Sequence, residues 1–154
     1  MSIVIDGTAN TVTGVPVNGP AFKASSNLTT ALNTATFTKV GLNTKSFDTA
    51  SAFDSTTNYR FQPLTAGYYQ LSGLAGVTGV GILRFLANIY KNGSLELTGT
   101  DYPCNGTTAR AGVSGLVYLN GSTDYVELYL YGVFTSASLD ASTNSFSGFL
   151  ARVA

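Results

Sequence analysis

The chain has 154 residues, of which 44% are hydrophobic and only 10% carry a charge. Ordinary soluble domains carry charge on about 25% of their residues, so neutral polar side chains must cover most of this surface. Eight basic and eight acidic residues balance, so no electrostatic attraction to nucleic acid or to an anionic membrane is expected. The length suits one domain with a full hydrophobic core. A weakly charged monomer is poorly protected against association, so the composition favours a specific oligomer.

The first 19 residues are predicted to form an arm appended to the domain. Residues 3–5 form one short strand and residues 11–17 a second, in which Pro16 permits only an edge or extended role. Asn-Gly-Pro at 18–20 then interrupts the chain. The apolar residues expected to anchor the arm to a partner are Ile3, Val4, Ile5, Val12, Val15 and Val17. No basic segment precedes an apolar run, so no secretory signal is expected, and no stretch is long and apolar enough to span a membrane.

Residues 20–154 carry short alternating apolar runs separated by Gly, Asn and Pro turns. This is the pattern of about eight β-strands without a helix. Residues 82–91 are apolar enough for a buried helix. However, Asn92-Gly93 turns them directly into residues 95–97, which favours a hairpin of two strands. The pattern indicates an all-β sandwich or jelly roll.

Two stretches between the strands are predicted as surface loops. Residues 43–57 are polar with Phe47 and Phe53 embedded, so we expect these two rings to anchor the loop on the core. Residues 98–108 are rich in Thr and Gly and contain one proline. Loops on a rigid scaffold commonly carry binding function, and these two are the candidates for binding a glycan.

The clearest strand spans residues 125–131, where side chains alternate between two different faces. One face carries three tyrosines and a glutamate, and the other carries a valine and two leucines. Asn120-Gly121 predicts a hairpin that joins this strand to residues 116–119. Residues 146–153 form another strand-like run, which we expect to be buried in the sheet. A tyrosine face opposite a core face needs a cover, either a loop of its own subunit or a neighbouring subunit.

The sequence offers few groups for catalytic chemistry. It contains no His, and Cys104 is its only cysteine, so neither an internal disulfide nor a Cys/His metal set is available. A thiol nucleophile also needs a base beside it, and there is no imidazole to provide one. Asp48, Asp54 and Asp101 lie in predicted loops, but these loops lack the dense series of oxygen ligands typical of a calcium site. We therefore expect no catalytic residue, no cofactor and no metal, and predict that the protein is not an enzyme.

Six successive motifs between residues 20 and 153 resemble the C1q/TNF-like family. They are Ala-Phe-Lys-Ala at 21–24, Phe-Thr-Lys-Val at 37–40 with Asn43, Arg-Phe-Gln-Pro at 60–63 with Ala-Gly-Tyr-Tyr-Gln-Leu-Ser at 66–72, Lys-Asn-Gly at 91–93, Asp124 with Val126, and Phe-Ser-Gly-Phe-Leu at 146–150. In one departure, Thr123 stands where the family has glycine. Each motif alone is weak, but their order over most of the chain makes the resemblance specific.

The resemblance implies an all-β, ten-strand jelly-roll sandwich at residues 20–154, with residues 1–19 as the short N-terminal β arm. It also implies a tight homotrimer in which aromatic and apolar residues meet along the three-fold axis. The predicted trimer-interface residues are Tyr125, Tyr129, Tyr131, Phe146 and Phe149. The alternative is that the tyrosine stripe lies under a loop of its own subunit. Arg84 interrupts an apolar run and is expected to pair with an acid such as Glu127 or to lie in the trimer interface.

Residues 2–8 and the Ser/Thr/Asn/Gly-rich texture resemble bacteriophage virion proteins. This second resemblance implies a structural protein on the surface of the phage particle, with neither nucleic acid nor membrane as a partner. In one placement the trimer decorates or cements the capsid, and the arm binds the major capsid protein. In another it is the tip of a tail fibre or spike, attached to a fibre or baseplate protein and binding a host-surface glycan. A secreted C1q/TNF-like lectin or ligand is a third alternative, which would require a secretion signal.

Overall fold

The computed structural model describes residues 4–6, 11–13 and 19–154, and its regular secondary structure is entirely β-strand. The fourteen strands are β1 (Val4–Asp6), β2 (Thr11–Thr13), β3 (Ala21–Ser25), β4 (Ala31–Leu32), β5 (Thr38–Lys39), β6 (Thr44–Asp48), β7 (Phe53–Asp54), β8 (Arg60–Phe61), β9 (Gly67–Lys91), β10 (Ser94–Thr98), β11 (Tyr102–Leu119), β12 (Val126–Val133), β13 (Ser136–Leu139) and β14 (Ser145–Val153). β1 and β2 pair in a separate antiparallel sheet, and the other twelve strands are joined in one hydrogen-bonded network. No helix in these ranges is long and apolar enough to cross a membrane.

The large network folds into two layers because β9 runs through both. The first layer comprises β6, β3, β14, the first half of β9 and β11, hydrogen-bonded in that order. The second layer is built on the second half of β9, which pairs with β10 and β12. β9 passes from the first layer to the second near Gly81. The φ of Gly81 is 62°, a backbone conformation that glycine adopts with little strain. A Cβ at Gly73 of the first layer would stand 2.5 Å from Leu128 Cδ1 of the second, so the two inner faces meet in one core.

Alternating apolar residues of both layers fill this core. The three apolar residues of β12 that the alternation points inward are at most 1% exposed, as the sequence predicted. At the end of the core nearest β3, the ring of Phe22 stacks on Phe61 and Phe53, at centroid distances of 4.2 and 5.2 Å. Phe146 meets Phe22 edge-on at 5.2 Å. Such pairs add about 0.5–1.5 kcal/mol each to the burial of apolar area. Phe22 therefore joins elements that are distant in sequence.

The two Asn-Gly pairs predicted to close hairpins have different roles. Asn92-Gly93 joins β9 to β10 with Lys91 opposite Ser94, and its φ angles are 52° and 78°. Positive φ at both positions is the geometry of a type I′ turn, so this predicted hairpin is confirmed. Asn120-Gly121 closes no hairpin, because residues 108–119 of β11 pair with the first half of β9, whereas β12 pairs with the second half. This segment crosses between the layers, and the prediction of a hairpin there is wrong.

The side chain of Asn120 builds this crossing loop. Its Oδ1 accepts hydrogen bonds from the backbone N–H groups of Ser122, Thr123 and Asp124, each at 3.0 Å. Asn is favoured in turns because its short side chain can satisfy its own backbone in this way. The same dipeptide therefore serves a hairpin or a crossing loop, and strand pairing elsewhere in the chain decides which.

Gly121 in the crossing loop is expected to tolerate no larger residue. Its φ is 71°, and a Cβ there would lie 2.4 Å from the backbone nitrogen of Ala66. Gly121→Ala should lower the free energy of unfolding by about 2–4 kcal/mol, because the backbone of Ala66 must move and the left-handed conformation is strained. Gly112→Ala is the control, since its Cβ would meet only Gly73 O at 3.7 Å. Urea denaturation followed by circular dichroism measures both variants, and equal losses would contradict this account.

The strand bounds settle two further predictions. Residues 82–91 are strand rather than helix, as predicted, although they continue the strand that begins at Gly67. Residues 98–108 are mostly not a loop, because β11 begins at Tyr102 and pairs with the second half of β9. The hydrophobic pattern there is too weak to reveal this extension, which depends on the partner strand.

Residues 43–57 contain β6 and β7 as well as loop. Phe53 is buried in the core, which confirms one of the two predicted anchors. Phe47 is 49% exposed and is not a core anchor, because it lies on the outward side of β6. β14 lies between β3 and β9 only as far as Phe149; beyond it the strand pairs with β9 alone and residues 151–153 are exposed, so the predicted burial of residues 146–153 is confirmed only for the first part of the run.

The N-terminal arm contains the two short strands that the sequence predicts. Val4 and Ile5 belong to β1, and Ile5 stands opposite Val12 of β2. Three other residues predicted to anchor the arm lie outside the described residues; they are Ile3, Val15 and Val17. Anchoring by the arm stays a prediction.

Candidate subunit interface

The outward side of the first layer exposes a cluster of large apolar side chains, which we call the apolar face. Its members are Tyr68, Leu116, Tyr118, Phe149 and Val153. Each is between 42% and 58% exposed. Strand register places them side by side, with Tyr68 opposite Tyr118 and with Gln70 between Leu116 and Phe149. Contiguous exposed apolar patches are often interaction sites, so the apolar face is the candidate subunit interface.

The apolar face arises from the period of the strands. Leu116 and Tyr118 on β11 alternate with Val117 and Leu119, which are buried in the core. The ring of Tyr118 lies 5.4 Å from that of Tyr68 on β9 and leaves much of both rings open to solvent. A strand with apolar residues on both sides needs a cover on both sides. The core covers one side of β11, and within residues 19–154 its outward side stays largely exposed.

Small uncharged side chains lie beside the apolar face in the middle of the sheet. Ser72, Ser114 and Ser147 share one row across β9, β11 and β14. Gln70 Nε2 donates to Ser114 Oγ at 2.9 Å, and that hydroxyl donates to Leu71 O at 2.9 Å. Short side chains keep this part of the sheet surface flat. A second copy of the chain can therefore approach the backbone closely.

Lys91 lies at the edge of the apolar face. Its Nζ donates to Tyr118 O at 2.7 Å and lies 3.1 Å from Asp124 Oδ2. Asn92 Nδ2 donates to the other carboxylate oxygen at 2.7 Å. The hydrogen bond from Asn92, followed by that from Lys91, lowers the pKa of Asp124 against the opposing effect of burial. The ionised carboxylate thus ties the β9–β10 turn to the crossing loop beside Tyr118.

The predicted tyrosine stripe lies on the outward side of the second layer, where side chains of the same chain partly cover it. Its members are Tyr125, Tyr129 and Tyr131. Tyr90 stacks on the middle ring at 4.1 Å, Phe37 packs on the last ring at 4.8 Å, and the Arg60 guanidinium lies 4.3 Å from the centroid of the first. Burial raises the pKa of the Tyr90 phenol and of the middle phenol. A role for the stripe in a trimer interface stays a prediction, and the apolar face is the more open of the two surfaces.

The two phenylalanines predicted for the interface fall on opposite sides of β14. Phe146 is fully buried against Phe22, so it belongs to the subunit core and has no surface to offer a second subunit. Phe149 points outward, on the apolar face. Three exposed residues beside Phe149 were not predicted as interface residues from the sequence; they are Tyr68, Leu116 and Tyr118. Alternation in residues 109–119 could have revealed the last two, because that strand is apolar on both sides.

Arg84 pairs with a different acid from the one that the sequence suggested. Its Nη2 lies 2.6 Å from Asp101 Oδ2, so Arg84 is not the partner of Glu127. Glu127 is buried and accepts a hydrogen bond from Lys39 Nζ at 2.8 Å. Lys39 also donates to Asn58 O at 3.2 Å. The short strand β5, which places Lys39 opposite β12, supplies this cation and was not predicted to do so.

Lys39→Met is expected to destabilise the fold by about 2 kcal/mol, because it leaves the buried Glu127 carboxylate without its cation. The figure is reduced from that of a fully buried pair because the Lys39 side chain is 34% exposed. Adding Glu127→Gln to this variant should recover part of the loss, since a neutral amide tolerates burial better than a charge. Urea unfolding of the two single variants and the double variant measures the coupling. Additive losses would contradict a direct interaction.

The carboxylates considered for calcium binding are engaged in other contacts. Asp48 accepts the backbone N–H groups of its own loop, and Asp54 does the same. Backbone hydrogen bonds from Thr57 and then Thr56 hold the pKa of Asp54 well below its usual range. Asp101 is paired with Arg84. Within residues 19–154 no three side chains of the kind that bind metals come together.

Several solved structures are similar to this arrangement of strands. The globular domain of the zebrafish complement 1qA protein matches with a TM-score of 0.64 at 17% identity, covering 88% of this chain and 99% of that one. Murine APRIL at pH 8.5 matches with a TM-score of 0.60 at 12% identity, covering 85% of this chain and 98% of that one. Murine APRIL at pH 8.0 gives 0.63 at 10% identity, covering 84% and 96%. No family model and no curated protein matches the sequence. The fold is a C1q/TNF-like jelly roll, which confirms the fold predicted from the sequence.

Proposed function

We propose that the chain is a non-enzymatic structural protein of a bacteriophage particle, where it forms a homotrimeric knob that decorates or cements the capsid. The observation that carries the proposal is the apolar face, since a surface of this kind in a weakly charged chain requires a cover. The resemblance to C1q/TNF-like proteins favours assembly in threes. The acidic side chains considered for chemistry make structural contacts instead, which favours a structural role over catalysis.

In the proposed trimer, the apolar face of each subunit is turned toward the three-fold axis. Tyr and Phe suit such a position, because they offer large area with few rotamers, and tyrosine keeps a polar tip. The serine row would lie beside the packed rings and allow close approach. Covering a half-exposed leucine or ring contributes on the order of 1 kcal/mol. Each of the three subunits contributes one apolar face to a closed trimer. The sum of these contributions can therefore offset the free-energy cost of association.

The N-terminal arm is the proposed attachment to the particle. The chain enters the domain at Pro20, whose carbonyl accepts a hydrogen bond from the backbone nitrogen of Leu150 at 2.9 Å. Leu150 directly follows Phe149 of the apolar face. With the apolar faces at the axis, three arms would therefore leave the trimer at the same end and near one another. The proposed partner of these arms is the major capsid protein, or a fibre or baseplate protein if the trimer belongs to the tail.

Light scattering on the full chain tests the assembly, and imaging of the particle tests its placement. The expected mass in dilute buffer is three times that of one chain, and a monomer would contradict the trimer. Trimeric density on the outer surface of the capsid would support decoration. Density confined to the end of a tail fibre would overturn decoration and identify a fibre tip, with a glycan as its expected ligand.

A further inference from the structure

The chain contains four Asn-Gly pairs, and one of them has no evident role in a turn. The pairs are Asn18-Gly19, Asn92-Gly93, Asn105-Gly106 and Asn120-Gly121. The first includes a residue outside the described part of the chain. The second closes the β9–β10 hairpin, and the fourth builds the crossing loop. Asn105-Gly106 lies within β11, where no turn is needed.

Asn-Gly is also the dipeptide most prone to a spontaneous reaction of the backbone. The amide nitrogen of the glycine attacks the Asn side-chain carbonyl carbon, a new C–N bond forms, and ammonia leaves. Water then opens the resulting succinimide and gives aspartate or isoaspartate. Glycine favours the reaction because it has no Cβ to obstruct ring closure and its backbone rotates freely. The reaction requires a side chain and a backbone segment that are both free to move.

Asn92 and Asn120 are held in place by hydrogen bonds. Asn92 Nδ2 donates to Asp124 Oδ1 at 2.7 Å, and Asn92 Oδ1 accepts from the backbone nitrogen of Tyr125 at 3.0 Å. Asn120 Oδ1 accepts three backbone N–H groups, and its Nδ2 donates to Thr123 Oγ1 at 2.9 Å. Turning either side chain toward the following glycine would break several of these bonds at once. The fold therefore protects both residues.

Asn105 lacks this protection. Its side chain is exposed and makes no hydrogen bond within residues 19–154. The pairing of β11 with β9 shifts register between Pro103 and Gly106. Asn105 lies in this gap and has no paired residue on β9. Gly106 stands opposite Ile82, but a Cβ built on Gly106 would meet no atom closer than 3.9 Å, so the space beside its Cα is open.

We propose that Asn105 is a site of spontaneous deamidation, and that in the folded protein it reacts before Asn92 and Asn120. The product carries nine acidic residues against eight basic ones, so the formal charge of the chain falls from zero to −1. Isoaspartate would also lengthen the backbone by one atom. The irregular stretch between Pro103 and Thr108 can absorb this change, because regular pairing with β9 resumes at Thr108. The fold is expected to survive, with a new negative charge on the outer part of β11.

The test is to age the full chain at mildly alkaline pH and to locate aspartate and isoaspartate by peptide mapping with fragmentation. An Asn18→Gln background removes the first pair, Asn18-Gly19, from the measurement. In the native protein the modified fraction should rise at Asn105 while Asn92 and Asn120 stay intact. In urea, where the protecting bonds are lost, all three should react at similar rates. Gly106→Ala should slow the reaction at Asn105, whereas Gly112→Ala should leave it unchanged.

Two results would overturn the proposal. One is modification of Asn92 or Asn120 in the native protein as fast as that of Asn105. The other is an unmodified Asn105 in the native protein together with rapid reaction in urea, since that would show that β11 protects it. Both readouts concern covalent chemistry within one chain and are independent of whether the protein is a trimer.

Discussion

Leu116→Asp is expected to convert the proposed trimer to folded monomers. Leu116 is 58% exposed in the single subunit and lies on β11, where it contributes to the apolar face beside Gln70 and Tyr118. Because the Leu116 side chain points to solvent in the monomer, replacing it with aspartate should change the free energy of unfolding of the isolated subunit little. In the trimer the same carboxylate would lose its water among apolar side chains, at a cost of several kcal/mol for each copy. Assembly should therefore fail while the fold persists.

Light scattering gives the mass of this variant, and circular dichroism shows whether the sandwich is intact. Leu64→Asp is the matched control, since Leu64 is 82% exposed and lies outside the apolar face. The control should remain a trimer. If Leu116→Asp also stays trimeric, the apolar face is not the interface. Phe37→Asp, beside the tyrosine stripe, then becomes the informative variant, and its dissociation would assign the interface to the second layer.

Phe22→Ala is expected to lower the free energy of unfolding by about 3–5 kcal/mol, which is the usual cost of removing a buried ring from a core. Phe22 is fully buried and contacts three other rings, from β7, β8 and β14. The cavity cannot collapse easily, because these rings belong to different strands that the ladders hold in place. Phe37→Ala is the control and should cost about 1 kcal/mol, since half of that ring is already in water.

Urea denaturation at a fixed chain concentration measures both phenylalanine variants, because association makes apparent stability concentration-dependent. The same measurement on monomeric Leu116→Asp separates folding from assembly. A loss for Phe22→Ala no larger than that for Phe37→Ala would show that the ring cluster does not hold the layers together.

The sequence carried enough local information to predict the class of fold but not the pairing of its strands. Alternation in residues 125–131 indicates a strand with one core side, and Val126, Leu128 and Leu130 are buried there. Asn92-Gly93 between two apolar runs indicates a hairpin, and the strands pair as expected. Both features depend on neighbours in the chain. Asn120-Gly121 looks equivalent in sequence, but its role depends on β9. The strands on either side of this dipeptide, β11 and β12, both pair with β9 and not with each other.

The candidate interface shows the same limit. Period two assigns each side chain to one of two sides of a strand but does not say what covers the outer side. The tyrosine stripe is predicted from the sequence as an interface because three rings repeat within one strand. Phe37 and Tyr90, from other elements, partly cover it. Tyr68 and Tyr118 are inconspicuous in sequence and become neighbours only through the pairing of β9 with β11.

The sequence by itself determined an all-β chain of alternating strands, a weakly charged surface, and the C1q/TNF-like order of motifs. These properties follow from composition and from the period of a strand, which are local. The tertiary structure alone decided that β9 passes through both layers, that Phe146 is in the core, and that Tyr68, Leu116 and Tyr118 form one exposed face. The physical reason is that ladder bonds and side-chain packing join residues far apart in the chain. Which side of a strand stays uncovered is fixed by those distant partners.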